Sequence, residues 1–279
     1  TTVGEKPGGP EAQAALEAGQ RQLQQGQPAA AVQQFEQALA LGMDTADLEY
    51  RLGVALLLTG QVERAAVALE RALAMRPDHG AANAAVGAML LQQDRYAEAA
   101  DRLARAAELD PGNAPVREQL GAACQGLGQP ERAADAYRQA AALAPGRATA
   151  WVGLGVVRLR QGRADSARVA FERALAADST SSAALAGLGE VALAQGRAQA
   201  AVGLLERAVR REPALTAAYA GLARAHEQAG NADLAERARR AYTNLQQQDR
   251  EIARLRRDLA ARPEDAVAAY NLGALHARR

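Results

Sequence analysis

The sequence is poor in the residues that build strands, covalent bridges and metal sites. Phe, Tyr and Trp make up 3% of its 279 residues, and β-branched or aromatic runs of strand length are missing, which argues against a sheet. The single cysteine, Cys124, excludes an intramolecular disulfide. Within a helical pattern it reads as a packed thiol, not a reactive one, and it leaves the redox compartment open. No apolar run approaches the roughly 20 residues of a membrane span. Lysine occurs once, at Lys6, but Lys+Arg (33) and Asp+Glu (32) nearly cancel. No field of one sign therefore argues for nucleic acid, an anionic membrane surface or a strongly charged substrate. Thr1 is preceded by neither an initiator Met nor a signal-peptide core. The expectation is a processed or excised start, with an extracytoplasmic location slightly favoured over a cytoplasmic one.

What is abundant is Ala, Leu, Gln, Glu and Arg, a composition for helices. Gly19, Gly53, Gly87, Gly121, Gly155 and Gly189 stand each 34 residues beyond the last, and Ala223 continues the series. A second series, Ala31, Ala65, Ala99, Ala133, Ala167, Ala201 and Ala235, keeps the same period 12 residues later. Two locked series rule out coincidence. A third, Phe35, Leu69, Leu103, Tyr137, Phe171 and Leu205, is always large and apolar, while Pro77, Pro111, Pro145 and Pro213 fall where helices should stop. Between the two helices of each repeat sits Gly26, Gly60, Asp94, Gly128, Gly162, Gly196 or Gly230, where a left-handed C-cap is needed. Small residues let the paired backbones approach, the large one fills against the next repeat, and no repeat buries its apolar face alone.

This arrangement resembles the tetratricopeptide repeat, whose 34-residue pattern of Leu-Gly, Ala, Phe and Pro is met by Leu52-Gly53, Ala65, Leu69 and Pro77. The fullest match carries Trp151, Leu154, Gly155, Gly162, Ala167, Phe171 and Ala174, and departs from the family at Ser179, where the terminal Pro would stand. The resemblance implies an all-α, right-handed α-solenoid of stacked helix-turn-helix repeats. Seven are expected, at 12–45, 46–79, 80–113, 114–147, 148–181, 182–215 and 216–249, after a Gly/Pro-rich tail at 1–11. That tail should be disordered by composition unless it docks on something.

The seventh repeat departs from the pattern, with Ala223 in place of Gly, Arg239 at the large apolar position and the next Leu-Gly pair at Leu272-Gly273, 50 residues beyond Ala223. Its second helix should run on to about 262, roughly 45 Å from Asn231 at 1.5 Å per residue, before 264–279 supplies the first helix of an incomplete further repeat. Leu234, Ala238, Ala241, Leu245, Ile252, Leu255 and Leu259 form a seam along it that needs covering, with Gln248 the polar exception. Arg237, Arg239, Arg240, Arg250, Arg254, Arg256 and Arg257 alternate with Asp233, Glu236, Asp249, Glu251 and Asp258, the pattern of a solvated, salt-bridged face and not of a nucleic-acid site.

Signatures of catalysis are missing too: no metal-spaced Cys or His cluster, phosphate loop or nucleophile elbow is found, and no enzyme activity, metal or cofactor is expected. His79, His226 and His276 are scattered, the last two at one repeat position where the family usually has Tyr, so a packing role is expected. The resemblance places binding on the concave face lined by first helices. Mapped here, that face holds Tyr50, Val54, Leu57 and Leu58, then Ala84, Ala88 and Leu91, then Val152, Val156 and Leu159, then Ala186 and Leu193. Family members that clamp acidic C-terminal peptides carry Lys, Arg and Asn there. This sequence has Tyr50, Ala84, Glu118, Val152 and Ala186, with Asn271 alone at the asparagine-ladder position. An apolar or amphipathic protein segment suits this lining better, although small inward residues also simply permit tight curvature. Three readings stay open: a homo-oligomer or filament assembling head to tail through Leu245, Ile252, Leu255, Leu259, Tyr270 and Leu272, a monomeric adaptor for another protein, or a docking arm of an enzyme whose catalytic part lies outside this sequence.

Overall fold

The computed structural model describes residues 4–262 and 264–277, and the described residues form fifteen α-helices. They divide into two compact bodies, Thr1–Leu143 and Ala144–Arg279. The N-terminal body contains α1 (Pro10–Gln24), α2 (Pro28–Ala40), α3 (Ala46–Leu58), α4 (Val62–Met75), α5 (Gly80–Gln92), α6 (Tyr96–Leu109), α7 (Ala114–Gly126) and α8 (Pro130–Leu143). The C-terminal body contains α9 (Ala148–Arg160), α10 (Ala164–Ala177), α11 (Ser182–Ala194), α12 (Ala198–Arg211), α13 (Thr216–Gln228), α14 (Ala232–Ala261) and α15 (Ala266–Ala277). In each body consecutive helices pair and the pairs stack, which is an all-α solenoid.

Local chemistry explains the punctuation. The turn inside each pair is a Schellman ending: the N–H after the turn residue reaches the carbonyl five residues back, as in Gln61 to Leu56 (2.9 Å) and Arg163 to Arg158 (2.9 Å). It requires a left-handed residue, and Gly60 (φ +76°) and Gly162 (φ +72°) supply it without strain. Asp94 alone adopts it with a side chain, at φ +57°. Asp94→Gly is expected to gain about 0.5 kcal/mol in chemical denaturation, the relieved backbone outweighing the exposed Tyr96 hydroxyl bond that Asp94 accepts.

Most first helices open on a side-chain cap. Thr45 accepts from Leu48 N–H (3.3 Å), Asn113 from Val116 N–H (3.2 Å) and Ser181 from Ala184 N–H (3.2 Å), each worth about 1 kcal/mol. Second helices end in extended residues before proline, as at Arg76 and Asp110. Ser179 stands where that proline is missing. There the Asp178 carboxylate accepts from Thr180 N–H (2.8 Å) and Thr180 Oγ1 (2.6 Å), holding the same extended exit.

The core is the socket expected from the three series. A Cβ built on Gly19, Gly53, Gly87, Gly121, Gly155 or Gly189 would stand 2.5–2.9 Å from Phe35, Leu69, Leu103, Tyr137, Phe171 or Leu205 respectively, so only a glycine admits the side chain there. Of these six large side chains, Tyr137 keeps 6% exposure and the rest none. A Cβ built on Gly273 of α15, in the same register, would meet nothing within 4 Å beyond its own helix backbone.

The tail corrects the compositional expectation. Thr1, Thr2 and Val3 lie outside the described residues, but Lys6 pairs antiparallel with Asp44, both N–H···O distances being 2.7 Å. Glu5 accepts from Ala46 N–H (3.3 Å) and pairs with Arg76 (2.9 Å). The tail is thus docked on its own chain, and α1 begins at Pro10. This single bridge forms where α2 ends differently, at Leu41 and at Gly42 with φ +86°, just before Met43 and Asp44.

Candidate protein-binding face

The predicted lining residues separate by burial. In the N-terminal body Tyr50, Val54 and Leu57 of α3 and Ala84, Ala88 and Leu91 of α5 are half-buried, while Leu58 is 64% exposed. Leu57, Tyr50, Ala84 and Leu91 rest on buried core from their own and adjacent repeats. Leu16 and Leu23 of α1 stand 34 residues before Tyr50 and Leu57, are half-buried, and pack on the core below. They extend the same apolar strip, and the repeat period alone could have found them.

One polar network borders this strip. Tyr50 lies tilted against the His79 ring with centroids 4.9 Å apart. The His79 Nδ1 accepts from Ala82 N–H at 3.2 Å, capping α5, which leaves Nε2 to donate to Asp47 at 2.9 Å. Arg76 joins Asp47 (3.5 Å) to Glu5 of the tail (2.9 Å), and the Glu5 hydrogen bond raises the Arg76 pKa. Charge at this edge is consumed internally, and the strip beside it stays apolar.

In the C-terminal body Val152, Val156 and Leu159 of α9 are half-buried against the Phe171 core. Ala186 and Leu193 are a correction: at 8% and 6% exposure they lie inside the core with Leu205 and Leu222, and present no binding surface. At the register of Val156 the following repeats carry Glu190 and Arg224, paired with each other. The apolar lining therefore does not continue along this body.

The assembly residues sort in the same way. Ile252 and Leu255 are 5% and 6% exposed, on the helix against which α15 packs, so their share of the seam is covered within the chain. Leu245, Leu259 and Leu272 are half-buried, while Tyr270 is 76% and Val267 69% exposed. Of the two histidines expected to pack, His226 is buried and His276 is exposed. Cys124 is buried, and burial pushes its thiol up from the usual value. No helix among the described residues is long and apolar enough to cross a membrane, and no group of three or more His, Cys, Asp or Glu among them could hold a metal ion.

None of the curated proteins matches this chain. Among solved structures, MamA (residue 41 to the end) from Desulfovibrio magneticus RS-1 is 26% identical with a TM-score of 0.57, covering 62% of this chain and 97% of its own. PilF of Pseudomonas aeruginosa is 20% identical with a TM-score of 0.63, covering 73% and 92%. YrrB, described as having an unusual peptide-binding site, is 21% identical with a TM-score of 0.58, covering 66% and 95%. Family models of the tetratricopeptide repeat match residues 22–89, 123–184, 158–213 and 192–259. With the helix pairs, the glycine sockets and these matches over more than half its length, the chain belongs to the tetratricopeptide-repeat family.

Proposed function

We propose that this protein-interaction scaffold receives an apolar or amphipathic segment of another protein on the strip formed by α1, α3 and α5, without chemistry of its own. The observation that carries the reading is the continuity of Leu16, Leu23, Tyr50, Val54, Leu57, Leu58 and Leu91, half-buried or exposed, with their neighbouring charges already paired. Fully covering a Val or Leu side chain gains about 1.5–3 kcal/mol, so a few such contacts suffice for a micromolar complex. A displayed library of helical peptides selected on the intact chain should yield apolar i, i+3, i+4, i+7 patterns. Val54→Asp with Leu58→Asp should weaken the selected peptide at least tenfold by calorimetry while leaving the thermal midpoint within a few degrees. Peptides that bind the double variant equally well would remove the strip as the site.

A second reading, self-assembly, is favoured by α15, whose Val267 and Tyr270 are exposed and whose Gly273 socket is empty. It predicts species larger than a monomer in light scattering that Tyr270→Glu disperses. A monomer at every concentration would leave the heterologous segment as the partner.

A further inference from the structure

One register position bridges consecutive repeats by donating to a carbonyl six residues upstream. Asn83 Nδ2 donates to Pro77 O (2.9 Å), Arg117 Nη2 to Pro111 O (3.0 Å) and Trp151 Nε1 to Pro145 O (3.0 Å). Three chemically different side chains thus make one bond, tying the first turn of a first helix to the junction before it. Glu49 stands 34 residues before Asn83, with Met43 at the place of Pro77. An ionised carboxylate has no proton to donate.

The surroundings of Glu49 are those of an acid, not of an ion. Its exposure is 1%. Oε1 accepts from Arg71 Nη1 at 3.4 Å, a long contact to a side chain 63% exposed, and Oε2 is closed to solvent with no hydrogen-bond partner. At the same register Asn83, one carbon shorter, accepts through Oδ1 from Arg102 of its second helix at 3.4 Å, one turn before the place of Arg71, while its amide N–H donates to Pro77 O and His79 O. By register, Oε2 of Glu49, the oxygen without a partner, is the counterpart of the Asn83 donor. A buried carboxylate with one weak partner is costly. The charged groups around it do not remedy this. On α4 stand Arg71 and Arg64, on α2 Glu36, which is paired with Arg64, and on the loop before α3 Asp44. Burial raises the pKa of Glu49 most, Arg71 offsets part of this and Asp44 adds to it.

We propose that Glu49 is held as an un-ionised carboxylic acid whose O–H donates to the Met43 carbonyl, a proton-dependent latch across the first repeat junction. The latch sets how firmly α1 and α2 hold to α3, and with it the alignment of Leu16 and Leu23 beside Tyr50 and Val54. The proton is bound more tightly by the folded chain than by the unfolded one. Its stabilisation is complete below the ordinary carboxylate range and is lost as pH rises through the folded pKa. Gln in place of Glu49 keeps the shape and supplies a permanent donor.

Carbon-13 NMR of the side-chain carboxyl of Glu49 in the intact chain reads the proton directly. The expected result is a titration displaced above that of the surface glutamates, with the signal assigned by its loss in Glu49→Gln. Thermal midpoints of wild type and Glu49→Gln between pH 5 and 8 supply the second readout, with the advantage of the variant growing as pH rises. A carboxyl that titrates with the surface glutamates, or a midpoint difference that does not change with pH, would overturn the latch.

Discussion

Phe171→Ala is expected to destabilise the C-terminal body by about 3–5 kcal/mol, the cost of emptying a fully buried aromatic site. Phe171 has no exposure, and its ring lies between two backbones that carry no side chains to fill the gap. A Cβ on Gly155 of α9 would stand 2.6 Å from the ring, and one on Gly187 of α11 would overlap it. Most of the surrounding residues, Ala164, Ala167, Val152, Val156 and Val191, are small or β-branched, with Leu159 and Leu188 the larger exceptions, and they sit on helices fixed by their own partners, so the site collapses only in part. The reverse substitution tests the same geometry. Gly155→Ala should cost about 1–3 kcal/mol by overpacking, and the cost should fall in a Phe171→Ala background, because the two residues share one space. Urea denaturation of the four chains measures this coupling. Additive losses would mean that the ring and the glycine do not compete. Gly273→Ala is the control: a Cβ added there would meet nothing within 4 Å beyond its own helix backbone, so the alanine should cost nothing and favour the helix.

That contrast also shows which parts of the molecule can be read from the sequence. Gly155 and Phe171 are legible because each holds one place in a 34-residue period and the socket needs one residue type at each. The left-handed turn at Asp94 is legible for the same reason. The docking of the tail is not, since Lys6 and Asp44 meet through backbone groups that any residues could supply. Ala186 and Leu193 were misplaced because α11, SAALAGLGEVALA, has almost no polar residues to mark its outer face; apolar character all round does not say which side is buried. Glu49 is the opposite case. Its register was visible, but a glutamate in a helix reads as exposed until its burial is seen. The strip through Leu16, Leu23, Tyr50 and Leu57 was legible in part, the period giving the positions and packing deciding that they remain reachable.

Packing likewise decides the far end of α14, where the double variant Ile252→Ala, Leu255→Ala should release α15 altogether. Thr216 at the start of α13 bonds Asp249 (Oγ1 to Oδ2, 3.1 Å), so α13 reaches about that point of α14, and α15 packs on α14 as well. Among the described residues, Ile252 and Leu255 are buried on that stretch of α14 and Ala268 on α15. Truncating an isoleucine or a leucine at such a site costs about 2–5 kcal/mol each, and a detached helix of twelve residues is too short to persist in water. Hydrogen exchange should therefore show Ala266–Ala277 and the last turns of α14 losing protection together, while α9 to α12 keep theirs, because repeats stabilise one another only through their neighbours. Protection retained over α15 in the double variant would mean that other contacts anchor it. Loss spreading to α9 would mean that the C-terminal body folds as one cooperative block and not as a row of coupled pairs.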